Sequence, residues 1–139
     1  MKQINLEFNG YWREVNKGGV PAESGIYCVY ACTYNSAEGT VSLRELMYVG
    51  ESENVKERLT DHEKLPKWKN RLRTGETLCY SFASIGNVER IRAEAAIINY
   101  HKPPCNTEYI NNFPYPTTTI FTSGRNCFLK NEFTVYERW

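Results

Sequence analysis

Clusters of apolar residues in the middle of the chain predict three β-strands. Residues 25–34 are rich in β-branched and aromatic side chains, which favour an extended conformation. Residues 43–50 return as a second strand after a turn at residues 35–39, and so short a connection indicates antiparallel pairing. Residues 77–85 form the third predicted strand.

Capping residues and apolar spacing predict two helices. Ser52 and Asn54 can cap the first, which ends near Leu65 because Pro66 cannot continue a helix. A short basic stretch, residues 67–73, follows it. The second helix runs to the Pro103–Pro104 pair. Its cap is Asn87, and its apolar stripe consists of Val88, Ile91, Ala95 and Ile98.

Both ends of the chain carry weaker patterns. Leu6 and Phe8 suggest a strand that closes in a tight turn at Asn9-Gly10, and residues 11–15 could equally begin a helical turn. Near the C-terminus, residues 117–122 and 133–136 suggest a hairpin.

This order of elements predicts an α/β fold of the α+β kind in one domain, residues 1–139. We expect a small sandwich whose central sheet is three-stranded, mainly antiparallel and flanked by helices. The terminal hairpin adds an extended C-terminal segment. Residues 24–108 would form the core, with an N-terminal extension at 1–23 and a C-terminal extension at 109–139.

Composition narrows the function classes only slightly. The 139 residues are 41% hydrophobic and 24% charged, which is ordinary for a globular protein. A net charge of +1 means that any phosphate-binding face must arise from local clustering. No run is long enough to span a bilayer, so no membrane is expected among the partners.

The five cysteines favour free thiols in a reducing cytoplasm, since their number is odd and no Cys-x-x-Cys pair occurs. The N-terminus also lacks the apolar core of a signal peptide. Cys28 and Cys32 with His62 could be imagined as a zinc site, but small buried residues explain the two cysteines better.

Arg58 and His62 are the first candidates for chemistry. They lie four residues apart on the first predicted helix, so they should share one face and could address one phosphate together. Arginine suits that work because its planar fork binds two phosphate oxygens and keeps its charge. An ordinary solvated helix face remains the alternative.

Glu94 and two tyrosines complete the set. Glu94 lies among apolar and small residues, so a cation is its natural partner, and a lone hard oxygen ligand suits Mg²⁺ or Mn²⁺. Solvent exposure or pairing with Arg90 is the alternative. Tyr27 and Tyr48 each lie near a strand end, where packing alone would also explain them.

Taken together, these residues resemble the GIY-YIG nuclease family over most of residues 24–108. The resemblance is carried by Gly25-Ile26-Tyr27 and Tyr48-Val49-Gly50, followed in order by Arg58, His62, Glu94 and the Pro104-Cys105-Asn106 segment. It implies an endonuclease that cleaves DNA, duplex or branched, and leaves 5′-phosphate and 3′-hydroxyl ends.

The resemblance also implies roles for individual residues. Tyr27 would lie near the attacking water, and Tyr48 would help to position the phosphate or the water. Glu94 would hold the metal, and one carboxylate implies a single ion. Asn106, like Gly25 and Gly50, would have a structural role, as the tether of the loop after the second helix.

Substrate contacts beyond these residues would come from the densest basic cluster: Lys67, Trp68, Lys69, Arg71 and Arg73. An ordinary solvated surface explains the cluster about as well. Glu51 departs from the family pattern, because an acid beside a scissile phosphate would repel DNA unless it turns away or joins the metal shell. A catalytically lapsed domain that binds nucleic acid or protein is the rival function.

Overall fold

The computed structural model of the chain describes residues 2–139 and has an α+β fold with a six-stranded mixed sheet. The sheet curls strongly into a half-barrel and carries four helices, one of them long. Its strands are β1 (Lys2–Arg13), β2 (Gly25–Asn35), β3 (Thr40–Ser52), β4 (Thr77–Ser84), β5 (Thr118–Gly124) and β6 (Glu132–Val135). They lie in the order β3-β2-β4-β1-β5-β6, and among these six described strands only β1 and β5 pair in parallel.

The three predicted central strands are confirmed, but the prediction of a three-stranded sheet is wrong. β2 pairs antiparallel with β3 on one side and with β4 on the other. Both terminal segments then extend this unit, because β1 pairs with β4 and β5 pairs with β1. The predicted C-terminal hairpin is confirmed as β5 and β6.

β1 contradicts the tight turn predicted at Asn9-Gly10. Ile4, Leu6 and Phe8 are buried and alternate with exposed residues, as in a half-buried strand. The strand then continues to Arg13 through an irregularity between Gly10 and Trp12. Gly10 has a φ of +137°, which glycine tolerates, so the chain bulges here without reversing. A 3-10 helix, Glu14–Gly19, follows.

The first predicted helix is shorter than expected, and the basic stretch after it begins as a separate short helix. α1 (Val55–Thr60) begins at Asn54, whose side chain accepts a hydrogen bond from the Glu57 N–H, but it ends before residue 65. The chain turns at His62, because the buried His62 Nδ1 accepts the Lys64 N–H at 3.1 Å. α2 (Leu65–Asn70) then begins with Pro66 in its first turn, where proline is favoured.

α3 (Asn87–His101) confirms the second predicted helix and the burial of Ala95 and Ile98, but it corrects the N-terminal half of the predicted face. Val88 is 97% exposed and Ile91 is 45% exposed, so neither packs on the sheet. The buried face is formed instead by Arg90, Ala93, Ala95, Ala96, Ile97 and Ile98. Asn87 is the first helical residue and does not cap the helix, since Gly86 occupies the cap position.

Side chains from opposite faces of the sheet form two cores. Ile26, Cys28 and Tyr30 of β2 pack with α3 in the first core. Tyr27 and Val29 point to the other face and pack with α1 and α2 in the second core. No helix within residues 2–139 has the length and apolarity needed to cross a membrane.

Candidate active site

The two glycine-tyrosine motifs meet where β2 begins and β3 ends. Tyr27 pairs with Gly50 in the β2–β3 ladder, and its ring lies directly against that glycine. A Cβ at position 50 would come within 2.3 Å of the Tyr27 hydroxyl, so only glycine leaves room for this ring. Gly25 is similarly constrained, because a Cβ there would approach the Ala83 carbonyl oxygen to 2.4 Å.

Tyr27 is hydrogen-bonded to His62. The Tyr27 hydroxyl and His62 Nε2 are 2.8 Å apart, and the two residues are 1% and 4% exposed. Since Nδ1 of His62 accepts the Lys64 N–H, the proton of the neutral ring is on Nε2. His62 therefore donates to Tyr27, whose own O–H is left for another acceptor.

The surroundings keep both groups neutral. Burial, with a smaller contribution from Arg58, lowers the pKa of His62 to about 4. Burial and the neighbouring Tyr48 raise the pKa of Tyr27, although Arg58 acts in the opposite direction. This is the reverse of the lowered pKa that a free phenolate base would need, so only a further positive charge near Tyr27 would favour its ionised form.

Trp68 belongs to the interior and not to the basic surface. It is fully buried, and its ring centroid lies 4.4 Å from that of His62 and 5.2 Å from that of Tyr48. The assignment of Trp68 to a nucleic-acid-binding face is therefore wrong. Trp68 packs against the rings of both His62 and Tyr48, and this contact restricts the movement of the two rings.

Arg58 and His62 do not share a helix face, because α1 ends at Thr60. They meet instead around Glu63, which sequence inspection did not single out. Both oxygens of the Glu63 carboxylate accept hydrogen bonds from Arg58 at 2.7 Å, and one lies 3.8 Å from His62 Nδ1. The Glu63 carboxylate thus occupies the two-pronged guanidinium edge on which a phosphate would bind.

Tyr48, Arg58 and Glu94 converge on one cleft of about 450 Å³. Its lining also includes Glu51 and Glu108. Burial raises the pKa of Glu94 to about 8, and the negative charges of Glu51 and Glu108 add to the increase. Burial and Glu94 likewise raise the pKa of Tyr48 to about 12. A cation in this cleft would relieve an accumulation of negative charge.

Arg90 is a second residue whose importance the sequence did not reveal. It is buried and donates through Nε to the Glu51 carboxylate, and it also donates to Ser24 Oγ at 2.9 Å. The alternative of an Arg90–Glu94 pair is therefore not realised. Glu51 is held by this arginine at the margin of the cleft, which offsets its charge.

Asn106 ties the segment after α3 to the edge strand β3. Its amide accepts the Val49 N–H at 2.9 Å and donates to the Val49 carbonyl at 2.9 Å. Val49 lies between Tyr48 and Gly50, so this pair of hydrogen bonds fixes the backbone that carries both motif residues. The sequence signal for this contact was the Pro104-Cys105-Asn106 segment, through the family resemblance that it carries.

The donor set fits a hard divalent cation. Glu94 and its acidic neighbours offer oxygen atoms, which Mg²⁺ and Mn²⁺ prefer. Within residues 2–139 no three His, Cys, Asp or Glu residues come together as a metal-binding group. Glu94 would therefore hold the ion with water and substrate oxygens as the other ligands. The imagined zinc site is also excluded, since Cys28 and Cys32 pack in the first core, away from His62.

The predicted basic cluster is divided between free and paired side chains. Lys67, Lys69 and Arg73 are exposed. Arg71 instead makes two hydrogen bonds, of 3.0 and 2.8 Å, to the carboxylate of Glu45. The cluster therefore offers fewer available charges than its sequence suggests.

Comparisons of the chain with protein-family models, curated proteins and solved structures gave no match.

Proposed function

We propose that this chain is a GIY-YIG-type endonuclease that requires a divalent cation and cleaves duplex or branched DNA. The products would carry 5′-phosphate and 3′-hydroxyl ends. The observation that carries the proposal is the convergence of Tyr48, Arg58 and Glu94 on one cleft, beside the hydrogen-bonded pair of Tyr27 and His62. The nuclease module would be the small sandwich of β2, β3 and β4 with its helices, within residues 24–108.

Arg58 would bind the scissile phosphate and stabilise the charge that develops on it during cleavage. The phosphate must first displace the Glu63 carboxylate. Glu63 is 67% exposed, and a solvated ion pair of this kind contributes only about 0–1 kcal/mol. The Glu63 carboxylate would then exchange with the phosphate and would not prevent substrate from binding to Arg58.

Tyr27 would accept a proton from the attacking water in its ionised form. The His62 Nε2–H group and the Arg58 charge both act in favour of that form, but burial and Tyr48 outweigh them, so a bound cation would have to supply further positive charge. Tyr48, on the cleft wall, would orient the phosphate or the water. Glu94 would hold one Mg²⁺ or Mn²⁺ ion, which polarises the phosphate and neutralises the leaving oxygen when bound.

A catalytically lapsed domain that binds nucleic acid or protein is the second candidate. It is favoured by one pair of observations: Arg58 is already bound by Glu63, and the pKa of Tyr27 is raised. Under this alternative DNA would bind through exposed Lys67, Lys69 and Arg73, with no bond broken.

The test is cleavage of branched, single-stranded and duplex DNA by the purified protein, with Mg²⁺ and with a chelator. We expect magnesium-dependent cutting that Glu94→Ala abolishes without unfolding the protein, because the cation loses its only well-placed ligand. Glu89→Ala is the matched control, since Glu89 lies on the same helix and pairs with Lys2. Undiminished cutting by folded Glu94→Ala would overturn the proposal, and binding without cutting by the unsubstituted chain would favour the lapsed domain.

A further inference from the structure

A second cleft, of about 480 Å³, lies at the other end of β2. Its walls come from the β1 bulge, the end of β2 and the start of β3, together with Arg125 after β5. Tyr34 in this cleft is seven residues from Tyr27, which corresponds to roughly 23 Å along a strand. The two clefts are therefore separate sites.

Among residues 2–139, no carboxylate forms an ion pair with either of the two arginines in this second cleft. Arg13 and Arg125 both line it, and no Asp or Glu within residues 2–139 lines it with them. Glu14, the neighbour of Arg13 in the chain, is bound instead to Lys17 and to the Tyr80 hydroxyl. By contrast, four other arginines each pair with a carboxylate: Arg44, Arg58, Arg71 and Arg90. The cleft thus retains positive charge for an external anion.

Aromatic rings accompany the two arginines. The Arg13 guanidinium lies 3.7 Å from the centroid of the Tyr34 ring, which holds the fork in place, and Tyr34 is 40% exposed. The Tyr11 hydroxyl accepts the Cys127 N–H at 3.2 Å and keeps its own proton to donate. Two cationic forks, a hydroxyl donor and an exposed ring are the groups that recognise a phosphate joined to a planar base.

We propose that this cleft binds a nucleotide unit, with its phosphate on Arg13 and Arg125 and its base against Tyr34. The volume lies within the range of about 300–1,000 Å³ that is usual for small-ligand pockets. The nucleotide could be free or part of a strand, since both present the same chemistry. The inference does not depend on cleavage at the first site.

Binding of fluorescent AMP and of a fluorescent eight-residue oligothymidylate to the purified protein, followed by anisotropy, tests the proposal. We expect Arg13→Gln and Arg125→Gln each to weaken binding by about tenfold or more, because each removes a charge-assisted contact. Arg138→Gln, which removes the same charge outside the cleft, should bind like the unsubstituted chain.

The source of the nucleotide follows from the two probes. Arginine-dependent binding of AMP identifies a free-nucleotide site, and such binding of the oligonucleotide alone identifies a strand site. Tyr34→Leu should weaken AMP more than it weakens competition by inorganic phosphate. The nucleotide assignment would be overturned if neither probe binds or if both arginine variants bind as the unsubstituted chain does. It would also be overturned if Tyr34→Leu lowers the affinities for AMP and for inorganic phosphate equally.

Discussion

The Tyr27 hydroxyl connects the packing of the second core with the proposed chemistry. It accepts a hydrogen bond from His62 and lies against Gly50, where a side chain would collide with it. A packing residue needs the ring, whereas a proton acceptor needs the oxygen. Removing only the oxygen therefore separates the two roles.

Tyr27→Phe should cut slowly or not at all while DNA binding is retained. The free energy of unfolding should decrease by about 1–3 kcal/mol, because the His62 Nε2–H loses its buried acceptor. Single-turnover rate and melting temperature measured on the same sample test both effects. If the Tyr27→Phe protein is destabilised but cuts at nearly the original rate, Tyr27 does not accept the proton. Tyr48 would then be the next candidate for proton transfer.

His62 should make stability depend on pH in acid. Its pKa is lowered to about 4 in the folded chain, by burial and by Arg58, against an ordinary value of 6.5. Between these pH values the unfolded chain binds more protons, so stability is full above about pH 6.5 and falls as the pH decreases toward 4. Glu63 and Lys64 also face this ring and act in opposite directions.

The expected loss is on the order of 1–3 kcal/mol between those pH values. Urea unfolding at pH 4.5 and pH 7.5 measures it, and His62→Gln should have a smaller difference between the two. Burial also lowers the pKa of His101, so part of the difference should persist in His62→Gln and disappear only when His101 is replaced as well. An equal pH dependence in the chain with and without His62 would contradict the prediction.

At the scale of elements, periodicity predicted the strands well and the first helix poorly. β2, β3 and β4 carry runs whose composition alone favours strands. The break between α1 and α2 depends on the burial of His62 beneath Tyr27 and Trp68, a tertiary contact with no local signature. The buried face of α3 was predicted only in part, at Ala95 and Ile98, because small alanines and Arg90 pack on the sheet where Val88 and Ile91 were expected.

The end of α1 determines how Arg58 can act. Arg58→Ala should reduce cleavage by orders of magnitude, about 10²–10³-fold, because charge in the transition state loses its partner. Glu63→Gln should have the opposite and smaller effect, a tightening of substrate binding of up to about fivefold, since the phosphate no longer displaces a carboxylate.

Steady-state kinetics of both variants test these effects, with KM reporting Glu63 and the maximal rate reporting Arg58. Glu57→Gln is the control for Glu63, because Glu57 is an exposed acid of α1. Near-normal cleavage by Arg58→Ala would mean that Arg58 is an ordinary solvated residue of the helix surface and has no role in cleavage.

At the scale of the whole molecule, pairing across the length of the chain was beyond sequence patterns. β1 and β5 pair in parallel from Lys2–Thr118 to Phe8–Gly124, and neither strand carries a local mark of its partner. The meeting of Tyr48, Arg58 and Glu94 at one cleft was easier to anticipate, because the family resemblance groups these residues in one motif order. The ion pairs that Glu63 and Arg90 form could not be anticipated, because the sequence does not show which opposite charge a charged residue will contact.

This long-range pairing makes the C-terminal segment part of the fold, although the proposed nuclease module ends at residue 108. A chain truncated after Pro116 should fail to fold, because β1 loses its β5 partner and the first core loses Ile120, Leu129, Phe133 and Val135. Each buried apolar side chain contributes about 1.5–3 kcal/mol, so the combined loss rivals the 5–15 kcal/mol that stabilises a typical domain. Removal of Trp139 alone, which is 84% exposed, should have little effect. Circular dichroism and gel filtration distinguish the outcomes: a cooperative thermal transition in the 1–116 chain would make residues 24–108 with β1 sufficient, and would assign β5 and β6 an accessory role.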